Sequence, residues 1–354
     1  MRHAIPLSRL FSLLRDPRVV GASVAMAVAG GLALRSPAKS RDVADIEAVS
    51  RRSVAGETVS IACGAHHTVV VRDRGRVECF GREDDGRCRV PADIGPARAV
   101  AAGTSHSLAL LADGAVACWG HDVYGQSNAP EALRLRGADV RAIAAGSWHS
   151  AALTADGRVH CWGDDRHGQC SVPPGLDDAT AIAAGAFHTV ALRADGAVAA
   201  WGEACFGSTA VPRGLGGVAS IAAGGYATAA IRADGGLILW GRNEHGVCDI
   251  PADLGAVREV ALGNSHAAAI RPDGSVRCWG SNLHGQCDVP RNAWAAAAVA
   301  ATHSATMELR DDGAVVAWGR RPHDDVAPAR RLAPKGPPLV RPGDAGQPPR
   351  PAIP

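Results

Sequence analysis

The sequence lacks the signatures of the common catalytic machineries. It contains no G-x-S-x-G nucleophile turn, no H-E-x-x-H zinc helix and no G-x-x-x-x-G-K phosphate loop. The usual sequence routes to serine hydrolysis, metalloproteolysis and nucleotide hydrolysis are therefore missing. The ten cysteines include no C-x₂₋₄-C pair, so a structural zinc site of the ordinary kind is excluded. Residues 214–219 approach the G-x-G-x-x-A dinucleotide fingerprint, but no helix is expected after them and the match is discarded. A net charge of +2 over 354 residues argues against a dominant nucleic-acid surface. Aromatic residues make up only 4% of the chain, so the places they occupy carry information. No cofactor, no metal and no enzymatic activity are expected.

What the chain has is repetition. The glycine of a G-x-x-H/A slot recurs at Gly64, Gly103, Gly146, Gly185, Gly224 and Gly263, and Thr302 takes the seventh place. The steps are 39, 43, 39, 39, 39 and 39 residues, with the single insertion near Glu131–Gly137. A fixed period of this size marks an array of supersecondary units. In the third unit, Val140–Ala145 alternates and reads as a strand, and Gly146 ends it. A second strand begins at His149, turns at Asp156-Gly157, and a third runs from Val159 to Trp162 before Gly163. Gly168-Gln169-Cys170 has room for a short fourth strand before Val172-Pro173. One such sheet cannot bury its faces alone, whereas seven packed radially can. The expected fold is all-β, a seven-bladed β-propeller of three- to four-stranded antiparallel blades. Trp119, Trp162, Trp201, Trp240, Trp279 and Trp318, with Phe80 in the first unit, are the expected filler between blades.

These units resemble the repeat of the regulator of chromosome condensation family. The resemblance rests on Ile143–Ser150, Asp156-Gly157, Cys161-Trp162-Gly163 and Gly168-Gln169, and covers about three quarters of the chain. It implies a seven-bladed propeller. The family includes an exchange factor for a small GTPase, whose longer repeats carry a protruding β-wedge that these units have no room for. The short units are more similar to a bacterial propeller-type β-lactamase inhibitory protein, which implies a binder using loops on one face. A photoreceptor branch relies on a Gly-Trp-Arg-His-Thr repeat that is not found here. A shared fold does not by itself assign function.

Function is sought where the repeats differ. The G-x-x-H turns and the loops after Trp-Gly should share one face, and the Asp-Gly turns the other. Trp148, Phe187 and Tyr226 occupy one slot, just before the His position, in blades 3, 4 and 5. Tyr124 and Phe206 sit in the loop after Trp-Gly in blades 2 and 4. The spare aromatics thus gather on one face, as partner-binding anchors do. Arg166, His167, Arg242 and His245 are candidate partner-binding residues of the rim, beside His121, Asp164, Glu203 and Glu244. The recurrent histidines His67, His106, His149, His188 and His266 are read as structural, each hydrogen-bonded to a neighbouring backbone group. Cys79/Cys88, Cys161/Cys170 and Cys278/Cys287 occupy paired slots nine residues apart, while Cys118 and Cys248 have one half only. The pairs read either as disulfides or as small buried hydrophobes, and the lone halves tilt the reading to the latter.

The expected organisation is a basic, apolar targeting or anchor segment over 1–40, a linker over 41–57, the propeller over 58–329 and a Pro-rich disordered tail over 330–354. The apolar run at 19–34 is shorter than the ~20 residues of a membrane span. It allows membrane association and favours an exported, anchored or organelle-targeted protein over a cytoplasmic one. The expected function is a monomeric, non-enzymatic scaffold that binds another protein. The alternatives are a nucleotide-exchange regulator of a small GTPase and an inhibitor-like binder of an enzyme.

Overall fold

The computed structural model describes residues 58–320 apart from Asn292 and Trp294. The expectations for 1–57 and 321–354, including the last nine residues assigned to the propeller, lie outside the described residues. Seven antiparallel three-stranded sheets form, each from consecutive strands. They span 58–81, 97–120, 140–163, 179–202, 218–241, 259–280 and 296–319, numbered here as blades 1 to 7. Blade 3 shows the pattern, with strands Val140–Ala145, His149–Thr154 and Val159–Gly163. The segment 168–170 is turn, so the fourth strand does not form. The backbone around Gly168 explains this. Its φ of 75° and the Gly168 N–H to Asp165 O bond of 3.0 Å curl the chain away from an extended path. The insertion in the second connection forms one helical turn, Glu131–Arg134.

The first strands of successive blades contact one another around the ring, so they line the axis, and the first strand of blade 1 meets the first and second strands of blade 7. Strands that converge on an axis leave little room for side chains. The inner strands accordingly carry Ala101, Ala144, Ala183 and Ala300, none with any exposed surface. The tryptophans pack further out, at 5–8% exposure from Trp119 to Trp318. Each indole N–H donates to a carbonyl in the loop that leaves the preceding blade, for example Trp162 to Gln126 O at 3.0 Å. Apolar filling and a satisfied polar handle thus coincide in one side chain.

Blade 7 closes onto blade 1 by side-on packing. Cys63 Sγ lies 3.3 Å from Met307 Sδ, and Ile61, Val70, Val299 and Trp318 share the same apolar cluster. An odd number of strands gives each blade a direction. Thr58 pairs with Arg72 at the Asp-Gly end, whereas Gly319 pairs with Ala305 at the opposite end. The chain enters the ring on one face and leaves it on the other.

Candidate partner-binding face

The G-x-x-H turns and the loops after Trp-Gly do lie on one face. The amides of Asp164, Glu203 and Arg242 donate to Trp148 O, Phe187 O and Tyr226 O, at 2.8, 2.8 and 3.0 Å. The loops of blades 2, 3 and 6 are held by a Gly-Gln pair, whereas Ser208 and Val247 stand in the glutamine's place in blades 4 and 5. Gln126 and Gln169 are fully buried, and their Oε1 atoms accept the amides of Tyr124 and His167, both at 2.9 Å. The main-chain oxygen of the same glutamine accepts the next blade's tryptophan and hydroxyl, Ser150 Oγ at 2.8 Å in the case of Gln126. Loop shape and blade stacking are therefore fixed by one residue.

These loops bring the sequence-selected aromatics together. The Tyr124 and Trp148 rings meet edge-on at 6.0 Å, with His121 5.2 Å from Trp148. Phe187 stands 5.9 Å from Tyr226, which meets Phe206 at 4.8 Å. Tyr124 and Phe206 are 39% and 41% exposed, while Trp148, Phe187 and Tyr226 are half-buried. Arginines cover the rings. Arg166 lies 4.6 Å from the Tyr124 centroid, and Arg242 lies 5.1 Å from Phe206 and 5.8 Å from Tyr226. Both guanidiniums are anchored. Arg166 grips buried Asp164 through two bonds of 2.8 and 2.9 Å, which holds that carboxyl below its ordinary range. Arg242 pairs with Glu244, with the same effect on its carboxyl.

His167 joins the second of these two groups, that of Phe187, Tyr226 and Phe206. Its ring is 5.2 Å from Phe187 and its Nδ1 is 2.6 Å from Glu203 Oε2. The Glu203 carboxyl is lowered first by its Cys205 hydrogen bonds, and burial raises the Tyr226 phenol. His245 is exposed on the neighbouring loop and makes none of these ring contacts. Sequence reading overlooked Val123, 75% exposed at the tip beside Tyr124. Its signal is an apolar residue in a loop slot that holds Arg166 in blade 3.

The five slot histidines are fully buried, one per blade, as structural residues. Their partner is corrected: each bonds a hydroxyl of the next blade rather than a backbone group. Nε2 of His67, His106, His149, His188 and His266 lies 2.9–3.0 Å from Ser107, Ser150, Thr189, Thr228 and Thr306. The hydroxyls donate onward to loop carbonyls, so their oxygens accept and Nε2 carries the proton. Cys79 and Cys88 form a disulfide with Cα atoms 5.0 Å apart, and Cys161, Cys170, Cys278 and Cys287 are free thiols. Among the described residues, no group of three His, Cys, Asp or Glu is placed to hold a metal, and no helix is long and apolar enough to cross a membrane.

The regulator of chromosome condensation (RCC1) repeat matches residues 58–87, 97–126, 140–169, 179–208, 218–247 and 257–286, just over half the chain. No curated protein matches the chain in sequence. Among solved structures, the chain is similar to the ectodomain of the Physcomitrella patens receptor kinase CR4, at 22% identity and a TM-score of 0.62, covering 75% of this chain and 74% of that one. It is also similar to human WBSCR16, at 20% identity and a TM-score of 0.57, covering 71% and 85%. A third similar structure is Prp20p of Saccharomyces cerevisiae, described with its binding to Gsp1p and histones. There the identity is 19% and the TM-score 0.59, covering 73% and 84%.

Proposed function

Because the chain belongs to the regulator of chromosome condensation repeat family, we propose that it is a non-catalytic propeller that binds a protein partner through the aromatic and arginine face over blades 2 to 5. The observation that carries this reading is the gathering of two aromatic groups on one face, Tyr124 with Trp148 and Phe187 with Tyr226 and Phe206, each capped by an anchored arginine. Binding to Gsp1p and histones by the structurally similar Prp20p supports a protein as the class of ligand. The mechanism is steric. Rings already held by neighbouring rings lose little freedom on docking, and rigid aromatics and arginine supply most of the energy in such interfaces. Asp164 and Glu244 orient the two guanidiniums before the partner arrives, which favours register and association rate.

The test compares full-length wild type with Trp148→Ala/Phe187→Ala/Tyr226→Ala in pull-downs from native lysate, after thermal unfolding confirms that both fold. A partner retained by wild type and lost by the variant supports the face, and calorimetry with that partner then gives each residue's share. A true anchor costs about 2 kcal/mol or more on truncation. Identical partner sets would move the site to the Asp-Gly face. If the partner is a small GTPase, release of labelled nucleotide separates exchange from simple docking. If it is an enzyme, its activity in the complex reads inhibition.

A further inference from the structure

Three blades place two cysteines in the same two slots. In blade 1 the pair Cys79–Cys88 is bonded, with Cα atoms 5.0 Å apart. Cys161 and Cys278 stand in the register of Cys79: the second-strand partners are Val69, Ala151 and Ala268. Cys170 and Cys287 sit in turns with the same hydrogen bonds as the Cys88 turn. Gly86, Gly168 and Gly285 donate to Glu83, Asp165 and Asn282, at 2.9, 3.0 and 3.2 Å. Val90, Val172 and Val289 donate back to the carbonyls of Cys88, Cys170 and Cys287, each at 3.0 Å. One backbone geometry therefore presents all three pairs, and in blade 1 it falls within the Cα separation that disulfides adopt, about 4.4–6.8 Å. Cys118 and Cys248 have no such counterpart, because Ser127 and Leu239 fill the matching slots.

We infer that Cys161–Cys170 and Cys278–Cys287 are dithiol–disulfide couples, modified by a disulfide oxidant such as oxidised glutathione. The thiolate of Cys170, the less deeply buried of its pair, attacks one sulfur of the oxidant and releases one glutathione thiolate. Cys161 then displaces the second glutathione from the mixed disulfide, and the two thiol protons end on the two glutathiones. The dithiol loses two electrons and the oxidant gains them. The blade 6 pair reacts in the same way from Cys287. Burial pushes the Cys170 thiol up to about 12 and the Cys287 thiol up to about 11, so uncatalysed exchange is slow near neutrality and quickens as pH rises. In blade 3 the bond ties the third strand to the loop that carries Arg166 and His167. The blade 6 bond ties a loop outside that cluster. The couples stand whether or not the aromatic face binds a partner.

The experiment takes full-length protein, reduces it, and equilibrates it across a series of glutathione redox buffers. Acid quench, alkylation in denaturant and peptide mass spectrometry then assign every sulfur. The expected result is two linked peptides, 161 to 170 and 278 to 287, and, before alkylation, an intact mass lower by about 4 Da relative to protein bonded only in blade 1. Cys118 and Cys248 should be recovered alkylated or carrying a single glutathione. Recovery of the four paired thiols in alkylated form, in buffers where Cys79–Cys88 has re-formed, overturns the proposal. So does a bond that joins any of the four to a different cysteine.

Discussion

A methyl group added to Gly146 would overlap His149 Cε1 and Nδ1 and lie 2.7 Å from Gly185 O of the next blade. The glycine of the G-x-x-H slot is thus a seat for an imidazole and a point of close approach between blades. Gly146→Ala should destabilise the fold by about 3 kcal/mol in urea unfolding, and adding His149→Ala should restore only part of that, because the carbonyl remains. Blade 7 fits the same rule. Ala305 leaves the seat empty, and Thr302 fills it with a hydroxyl that accepts the amides of Ser304 and Ala305 at 3.1 and 2.8 Å. The histidines also set an acid limit. Burial lowers His106, His188 and His266 to about 3 and His149 to about 4 from an ordinary 6.5, and holds His67 well below it. Above about pH 6.5 both folded and unfolded chains carry these rings neutral. Below that, the unfolded chain takes up protons that the folded chain refuses, so stability is lost as pH falls toward 4. Each ring contributes about 1.4 kcal/mol per pH unit across that window. Urea midpoints measured from pH 7.5 to 4.5 should drop steeply, and a flat profile would contradict the burial of neutral rings. The histidine slot was legible in the sequence. Its partner was not, although the hydroxyl recurs one residue past the next blade's slot at Ser107, Ser150 and Thr189, a signal that appears only when neighbouring repeats are read in pairs.

Strands and turns were readable because alternation and Asp-Gly hairpins are local. The loops after Trp-Gly were not, because their shape depends on buried Gln126 and Gln169 reaching back two residues and across to the next blade. Length alone suggested a strand where a left-handed glycine makes a turn. The free edges of the first strands raise a related point, since each first strand pairs on one side only. Side chains from the preceding blade serve that edge: Arg98 donates to Val140 O, Arg258 donates to Ala296 O, and Glu259 accepts the Val299 amide at 3.0 Å. Burial raises the Glu259 carboxyl from 4.5 to about 7. A raised acid contributes its stability below pH 4.5 and loses it as pH climbs through about 7. Glu259→Gln keeps an acceptor for Val299 and removes the ionisation. Its stability relative to wild type should therefore rise between pH 4.5 and 7.5, by no more than about 2 kcal/mol for a half-buried group, in paired thermal melts.

Around the whole ring the blade interfaces are not equal. Five carry the histidine-to-hydroxyl bond. Blades 5 and 6 carry Ala227 and Ala267 in these two positions instead, within one shared apolar cluster, and blades 7 and 1 meet through Met307, Cys63 and Thr68. Without that polar tie, these two seams should open first. Hydrogen exchange should be fastest in the second strands of blades 5 and 7, and uniform protection across all seven second strands would argue that packing alone governs the ring. Seam chemistry was foreshadowed by Thr302 and Ala305, but the sulfur contact at the closure joins residues 244 apart, beyond what periodicity reveals.

The ring also has a direction, with Thr58 at the Asp-Gly end and Gly319 at the opposite end. Its two points of attachment therefore work as a compass for anything that holds it. Immobilised on a sensor surface through a handle before Thr58, the disc lies with its Asp-Gly side down and Tyr124, Trp148 and Phe206 facing the flow. Turned over, with the handle after Gly319, the same disc shows the other side.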